Sequence, residues 1–201
     1  MSDNDIDSNR RRFLTTAATV VGGAGAVAAV VPFISAMNPS AKTKAIGAPV
    51  EVDISGLKPD KRMIVKWRGK PVWILRRSPE QLKEIKEVDN ELRDPNSEVE
   101  SQQPPYAQNE YRSIKPEYLV VIGICTHLGC SPTYVPHDEA ANFNLGPDWK
   151  GGFLCPCHGS RFDLAGRVFK DVPAPTNLVV PPYEYLSDKV LLIGKNPGEK
   201  A

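Results

Sequence analysis

Two short stretches concentrate the reactive side chains of this chain. CTHLGC, Cys125 to Cys130, holds two thiols and an imidazole, and CPCHGS, Cys155 to Ser160, holds the same complement. Together they contain all 4 cysteines and two of the 3 histidines, His127 and His158. Thiols pair as disulfides, and thiolates and neutral imidazoles bind borderline and soft metals. Two disulfides would leave both histidines as accidental neighbours. A tetrahedral zinc takes four ligands, fewer than the six on offer. Its usual pairing is C-x-x-C, whereas the spacings here are C-x-H-x-x-C and C-x-C-H.

Loops carrying such residues need a rigid frame, and the flanking sequence is strand-like. Pro49 to Ile54 alternates apolar and polar residues. Arg62 to Trp67 and Pro71 to Arg76 are rich in β-formers and flank Arg68 to Lys70, which reads as a hairpin turn. Ser78 to Asp89 reads as one short helix: Ser78 is its N-cap, Pro79 its first residue, and Leu82, Ile85 and Val88 its buried stripe. Asp94 to Glu110 is a polar loop. Glu117 to Ile124 is a buried strand that delivers the first motif. Arg167 to Lys170, Asn177 to Leu186 and Lys189 to Gly194 are strand-like. The expected fold is mainly β and antiparallel, with the two motifs at loop tips and one short helix.

Composition agrees. The 19 prolines stand against 6 phenylalanines and 6 tyrosines, which favours a loop-rich, strand-based domain over a helix bundle. Lysine plus arginine number 25 and aspartate plus glutamate 24, a net charge of +1, so no nucleic-acid partner is implied. The 201 residues suit one ordinary domain plus an appendage.

The appendage is N-terminal. Residues 1–12 are polar and end in Arg10, Arg11 and Arg12. No charged residue occurs from Phe13 to Ala41, and residues 13–37 are densely apolar, longer than the roughly 20 residues a helix needs to cross a membrane. A retained anchor is favoured over a cleaved signal peptide, for which no clear small-x-small site precedes a polar stretch. A buried core helix is disfavoured by the length of the run. Pro32 is a possible kink. Three arginines before the run and Lys42 and Lys44 after it bias the N-terminus only weakly toward the cytoplasm. NRRRFL is similar to a twin-arginine export signal, which implies a bacterial inner-membrane protein crossing once, its domain folded before export to the periplasm. Residues 38–48, small, polar and punctuated by Pro39 and Gly47, read as a flexible hinge linker to a domain at residues 49–201.

The paired motifs resemble the signature of the Rieske [2Fe–2S] proteins. The resemblance implies that Cys125 and Cys155 ligate one iron, that His127 and His158 ligate the other, and that Cys130 and Cys157 form a disulfide. The cluster-binding part would span about residues 118–176. The implied disulfide closes a loop of roughly 27 residues, for which the chain-entropy model gives ~3–4 kcal/mol. Replacing two thiolates by neutral imidazoles lowers the negative charge of the cluster and raises its potential to roughly −150 to +300 mV.

The N-terminal run, the linker, the β domain and GRVFKDVPAPTNL after the second motif are similar to the iron–sulfur subunits of bacterial ubiquinol–cytochrome c reductase. That resemblance implies cytochrome b, a c-type cytochrome and ubiquinol as partners, activity only within the complex, and a hinged movement on residues 38–48. It assigns His158 to the quinol contact. It makes Leu128 and the Pro173–Pro175 loop a shield over the cluster. It aims the Ser160 hydroxyl at a cluster sulfide, which raises the potential. Mitochondrial members usually carry Tyr where this chain has Phe162, so a donor to a cysteine sulfur is lost and a lower potential is expected. The span 131–154 is longer than in mitochondrial members, and its His137 is expected at the surface. The alternative is a Rieske relay subunit of another periplasmic oxidoreductase, such as arsenite oxidase. A Rieske oxygenase would need two further histidines, and only His137 remains.

Overall fold

The structure, a computed structural model, describes residues 7–199, which fall into two units, one ending at Ala45 and one starting at Ile46. In the first unit, helix α1 (Ser8–Ala36) begins at Asp7, whose carboxylate accepts from the backbone N–H of Asn9 (3.0 Å) and of Arg10 (3.2 Å). Its 29 residues extend about 43 Å at ~1.5 Å per residue. The best window has a mean hydropathy of 2.0, and none of its side chains is buried. Thr15 and Thr19 return their hydroxyls to the carbonyls one turn back, at Arg11 and Thr15, so they carry no unsatisfied donor into an apolar medium. The helix starts before the apolar run, takes in the three arginines, and continues through Pro32.

The segment read as a flexible linker contains a second helix, α2 (Ala41–Gly47), with the Ser40 hydroxyl accepting from Thr43 N–H at 3.2 Å. Pro39 and Gly47, the residues that suggested coil, stand before and at the end of this helix, where neither interrupts it.

The second unit holds nine strands among the described residues. They are β1 (Val50–Asp53), β2 (Lys61–Trp67), β3 (Lys70–Arg76), β4 (Tyr118–Ile122), β5 (Thr133–Val135), β6 (Gly152–Leu154), β7 (Arg161–Phe162), β8 (Tyr183–Ser187) and β9 (Val190–Ile193). Helix α3 (Pro79–Glu87) lies between β3 and β4. The strands form three antiparallel sheets in the orders β1-β9-β8, β2-β3-β4 and β5-β6-β7. The β2–β3 turn places Arg68 (φ 49°) and Gly69 (φ 75°) in the left-handed region, the requirement of a two-residue hairpin turn whose twist matches its strands. Helix α3 carries a full capping box between Ser78 and Gln81; Ile85 and Val88 are buried, and Leu82 is half-buried.

Two expected strands are shorter or absent. Residues 167–170 make only isolated bridges, Phe162 with Val168 and Leu92 with Phe169. Their backbone changes partner at each step: Val168 N–H donates to Asn177 Oδ1, Phe169 N–H to the Arg161 carbonyl, and Lys170 N–H to the Glu91 carbonyl. Before β8 no ladder forms: Leu178 N–H donates to the Gly166 carbonyl, Val180 N–H to the Gln102 carbonyl, and Pro181 and Pro182 bring no N–H.

Three fully buried arginines fix the turn that follows β7. Arg77 donates to the carbonyls of Leu164, Tyr111 and Pro116, and Arg112 to those of Ala165, Gly166 and Gln102. Arg167 pairs with the buried Asp163, whose carboxylate also accepts from Ala165 N–H and Arg167 N–H. Burial pulls the guanidiniums of Arg77 and Arg112 down to about 10, which leaves both charged at neutral pH.

Candidate functional site

The two motifs form loops with one internal pattern. In the first, Cys125 N–H donates to the Cys130 carbonyl (2.7 Å) and Gly129 N–H to the Cys125 carbonyl (3.1 Å). In the second, Cys155 N–H donates to the Ser160 carbonyl (2.8 Å) and Gly159 N–H to the Cys155 carbonyl (3.0 Å). Gly129 (φ 85°) and Gly159 (φ 71°) close both turns in the left-handed region, where a side chain would be strained. The first loop joins β4 to β5 and the second joins β6 to β7. Each therefore leaves a strand at a buried cysteine and exposes its tip.

Burial sorts the residues. Cys125 and Cys155 are each 2% exposed and neither is oxidised. His158 and Cys157 are exposed, His127 is half-buried, and Leu128 is 72% exposed. The two imidazole rings meet with centroids 4.9 Å apart and planes at 82°. Cys130 and Cys157 form a disulfide that ties one loop to the other. The sulfurs of Cys130, Cys155 and Cys157 lie within 4.8 Å of one another, so the disulfide sits beside one free thiol. Burial pushes the Cys125 thiol up. The His127 backbone N–H opposes that shift, the neighbouring Cys155 adds to it, and the Ser160 hydroxyl opposes it.

A third loop, Val172 to Thr176, closes the site. Ala174 N–H donates to Ser160 Oγ (3.0 Å), and Thr126 Oγ1 donates to the Thr176 carbonyl (2.7 Å). Ser160 and Ala174 are both fully buried, whereas Pro173 and Pro175 are exposed. Beneath the loops lies Trp73, 1% exposed and stacked on Phe153 at 5.2 Å. A side chain at Gly123 would run into its indole. Gly123 and Phe153 each precede a buried cysteine by two residues, so one indole supports both loop roots. Nothing in the spacing of the sequence signals Trp73, Thr126 or the tie between Ala174 and Ser160.

His137 lies at the surface, as expected, and its Nδ1 donates to the Trp149 carbonyl at 2.5 Å. Trp149 in turn donates its indole N–H to the Val135 carbonyl (3.1 Å). These two bonds tie the span 131–154 to itself, while Gln81 Nε2 donating to the Tyr134 hydroxyl (2.8 Å) and the Lys150–Glu87 ion pair (3.0 Å) join it to helix α3. Phe162 is fully buried and offers no hydroxyl at its position.

The disulfide leaves four donors, two adjacent thiols and two adjacent imidazoles. Four is also the number a structural zinc takes, so counting alone no longer separates zinc from an iron–sulfur cluster. The pairing of like with like does fit a [2Fe–2S] group with thiolates on one iron and imidazoles on the other.

Comparison with known proteins settles the family. Residues 50–184 match the model of the Rieske [2Fe-2S] domain, and residues 1–40 match that of the ubiquinol–cytochrome c reductase Fe–S subunit twin-arginine (TAT) signal. The chain is 61% identical to the ubiquinol–cytochrome c reductase iron–sulfur subunit of Allochromatium vinosum, over 98% of this chain and 94% of that one. It is 43% identical to the corresponding subunit of Bradyrhizobium diazoefficiens, covering 92% and 94%. It is 39% identical to the mitochondrial cytochrome b-c1 complex subunit Rieske of Saccharomyces cerevisiae, covering 94% and 79%. The chain belongs to the Rieske [2Fe-2S] family and, within it, to the iron–sulfur subunits of ubiquinol–cytochrome c reductase.

Proposed function

We propose that this chain is the electron-transfer subunit of a membrane-bound quinol–cytochrome c reductase and acts only within that complex. The observation that carries the reading is the placement of two neighbouring imidazoles at an exposed loop tip above two buried, unoxidised thiols. Cys125 and Cys155 would hold one iron and His127 and His158 the other. The bound cluster supplies a one-electron acceptor at a potential of roughly −150 to +300 mV.

The chain's own residues do the rest. His158, exposed, offers its outer ring nitrogen to the hydroxyl of a hydroquinone and takes the proton as the electron leaves. Leu128 and the exposed prolines Pro173 and Pro175 give the tip an apolar rim suited to docking on cytochrome b and then on a c-type cytochrome. The buried thiols stay out of water, which protects their metal bonds. Helix α1 anchors the chain in the inner membrane with its arginines on the cytoplasmic side and the cluster domain in the periplasm. Residues 38–48, helical from Ala41 to Gly47, then join anchor to domain and would hinge at the ends of that helix.

The test is an EPR-monitored redox titration of membranes containing the assembled complex, at several pH values, with and without a quinol-site inhibitor. A [2Fe–2S] signal whose potential falls at alkaline pH and whose line shape responds to the inhibitor supports quinol oxidation. A signal indifferent to the inhibitor, with cytochrome b present, favours a periplasmic relay.

A further inference from the structure

Arg93 is a surface residue outside both motifs, yet its guanidinium reaches the third loop. One terminal nitrogen donates to the Ala174 carbonyl and the other to the Val172 carbonyl, both at 3.0 Å. Its launch point is fixed: Arg93 N–H donates to the Val168 carbonyl (2.9 Å), and the preceding Leu92 is buried at 1% exposure. Asn177, just past the loop, is tied to the same segment through the Asp94 carbonyl (3.0 Å).

The loop has few other ways to hold its shape. Pro173 and Pro175 bring no N–H, so among residues 173–175 only Ala174 offers a donor. That donor goes to Ser160 Oγ. A hydroxyl that accepts from Ala174 has its acceptor side engaged there, and its own proton is turned elsewhere. Ser160 is itself fully buried, and its carbonyl accepts from the N–H of the buried Cys155 at 2.8 Å, so the hydroxyl lies in the loop that carries that thiol. The fork of Arg93 grips the carbonyls on both sides of the one N–H that orients this hydroxyl.

We infer that Arg93 is a positioning residue for the redox centre: by clamping the Val172 and Ala174 carbonyls it holds Ala174 N–H against Ser160 Oγ and so aims the serine proton at the cluster sulfurs. This rests on the reading that Ser160 faces the cluster. A hydrogen bond to sulfur stabilises the reduced, more negative state, so a slack clamp lowers the potential.

The experiment is a redox titration of the cluster by EPR in membranes carrying the full chain within its complex. It uses Arg93→Gln, Arg93→Lys, Ser160→Ala and the double variant Arg93→Gln/Ser160→Ala, with spins per polypeptide measured throughout. Arg93 is exposed, so cluster content is expected to match the wild type. Arg93→Gln is expected to lower the potential by part of the drop that Ser160→Ala produces, and to cause no further drop in the Ser160→Ala background. Arg93→Lys keeps the charge and loses the planar fork, and is expected to recover no more than half of the Arg93→Gln shift. Full recovery by lysine, or an equal shift with Ser160 absent, would make the effect one of charge and overturn the clamp. A drop in Ser160→Ala with none in Arg93→Gln would overturn the clamp alone. No drop in Ser160→Ala would overturn the role of Ser160 and the clamp with it.

Discussion

Replacing Gly123 by alanine tests how the frame supports the site. A Cβ at this position would fall among the indole atoms Cε2, Nε1 and Cδ2 of Trp73. Trp73 has little room to yield, being 1% exposed, stacked on the fully buried Phe153, and overlaid by the Arg62 guanidinium at 4.3 Å from the ring centroid. Overpacking of this kind costs about 1–3 kcal/mol. Gly123 lies outside the left-handed region, so alanine adds no backbone strain and gains about 0.4–1 kcal/mol from a stiffer unfolded chain. The overlap wins, and the net loss is about 1–2 kcal/mol, or a Tm lower by about 2–8 °C for a domain of this size. Because Gly123 and Phe153 each stand two residues before a buried cysteine, the displaced indole disturbs both loop roots, and cluster content measured by EPR falls with Tm. In the Trp73→Phe background the smaller ring leaves room, so the same alanine costs less than with tryptophan present. Wild-type melting and a wild-type signal in Gly123→Ala, or an equal cost in both backgrounds, would show that the Trp73 indole does not support the two loop roots.

Three further outcomes follow from individual contacts. Tyr183 accepts from Ile114 N–H at 2.8 Å, whereas the buried Tyr185 hydroxyl has no partner among the described residues. Tyr183→Phe should therefore cost about 1–3 kcal/mol, and Tyr185→Phe should leave Tm unchanged or raise it. Replacing Cys130 and Cys157 together by alanine should remove ~3–4 kcal/mol on the chain-entropy estimate for their separation of 27 residues, and cluster loss should be seen before global unfolding. Phe162→Tyr should raise the potential if its hydroxyl reaches a cysteine sulfur, and an unchanged potential in redox titration would exclude that donor.

The chemistry of the site was legible because ligands restrict residue type: thiols and imidazoles at fixed spacing admit few uses. The β2–β3 turn and the Ser78 cap were legible because local backbone geometry demands Gly69 and a hydroxyl at those points. Strands β5, β6 and β7 were not, since runs of 3, 3 and 2 residues are too short to show a period. Nor was the burial of Arg77, Arg112 and Arg167, whose partners are backbone carbonyls of distant segments and carry no sequence signal. Helix α2 escaped for a different reason: its flanking Pro39 and terminal Gly47 look like interruptions until the register of the helix is known. Arg93 shows the same blindness, since its partners lie about 80 residues further along the chain and are backbone atoms, which carry no sequence signal.

Two histidines, His127 and His158, and two cysteines, Cys125 and Cys155, are proposed to hold the cluster. The most direct measurement is pulsed EPR of the reduced full chain in membranes, with histidine nitrogen replaced by 15N. Couplings from two imidazole nitrogens are expected that change isotope signature on labelling and fall to one in His127→Cys or His158→Cys variants that retain a cluster. A [2Fe–2S] signal free of histidine coupling, or fully loaded protein containing zinc and no such signal, would contradict that ligand set.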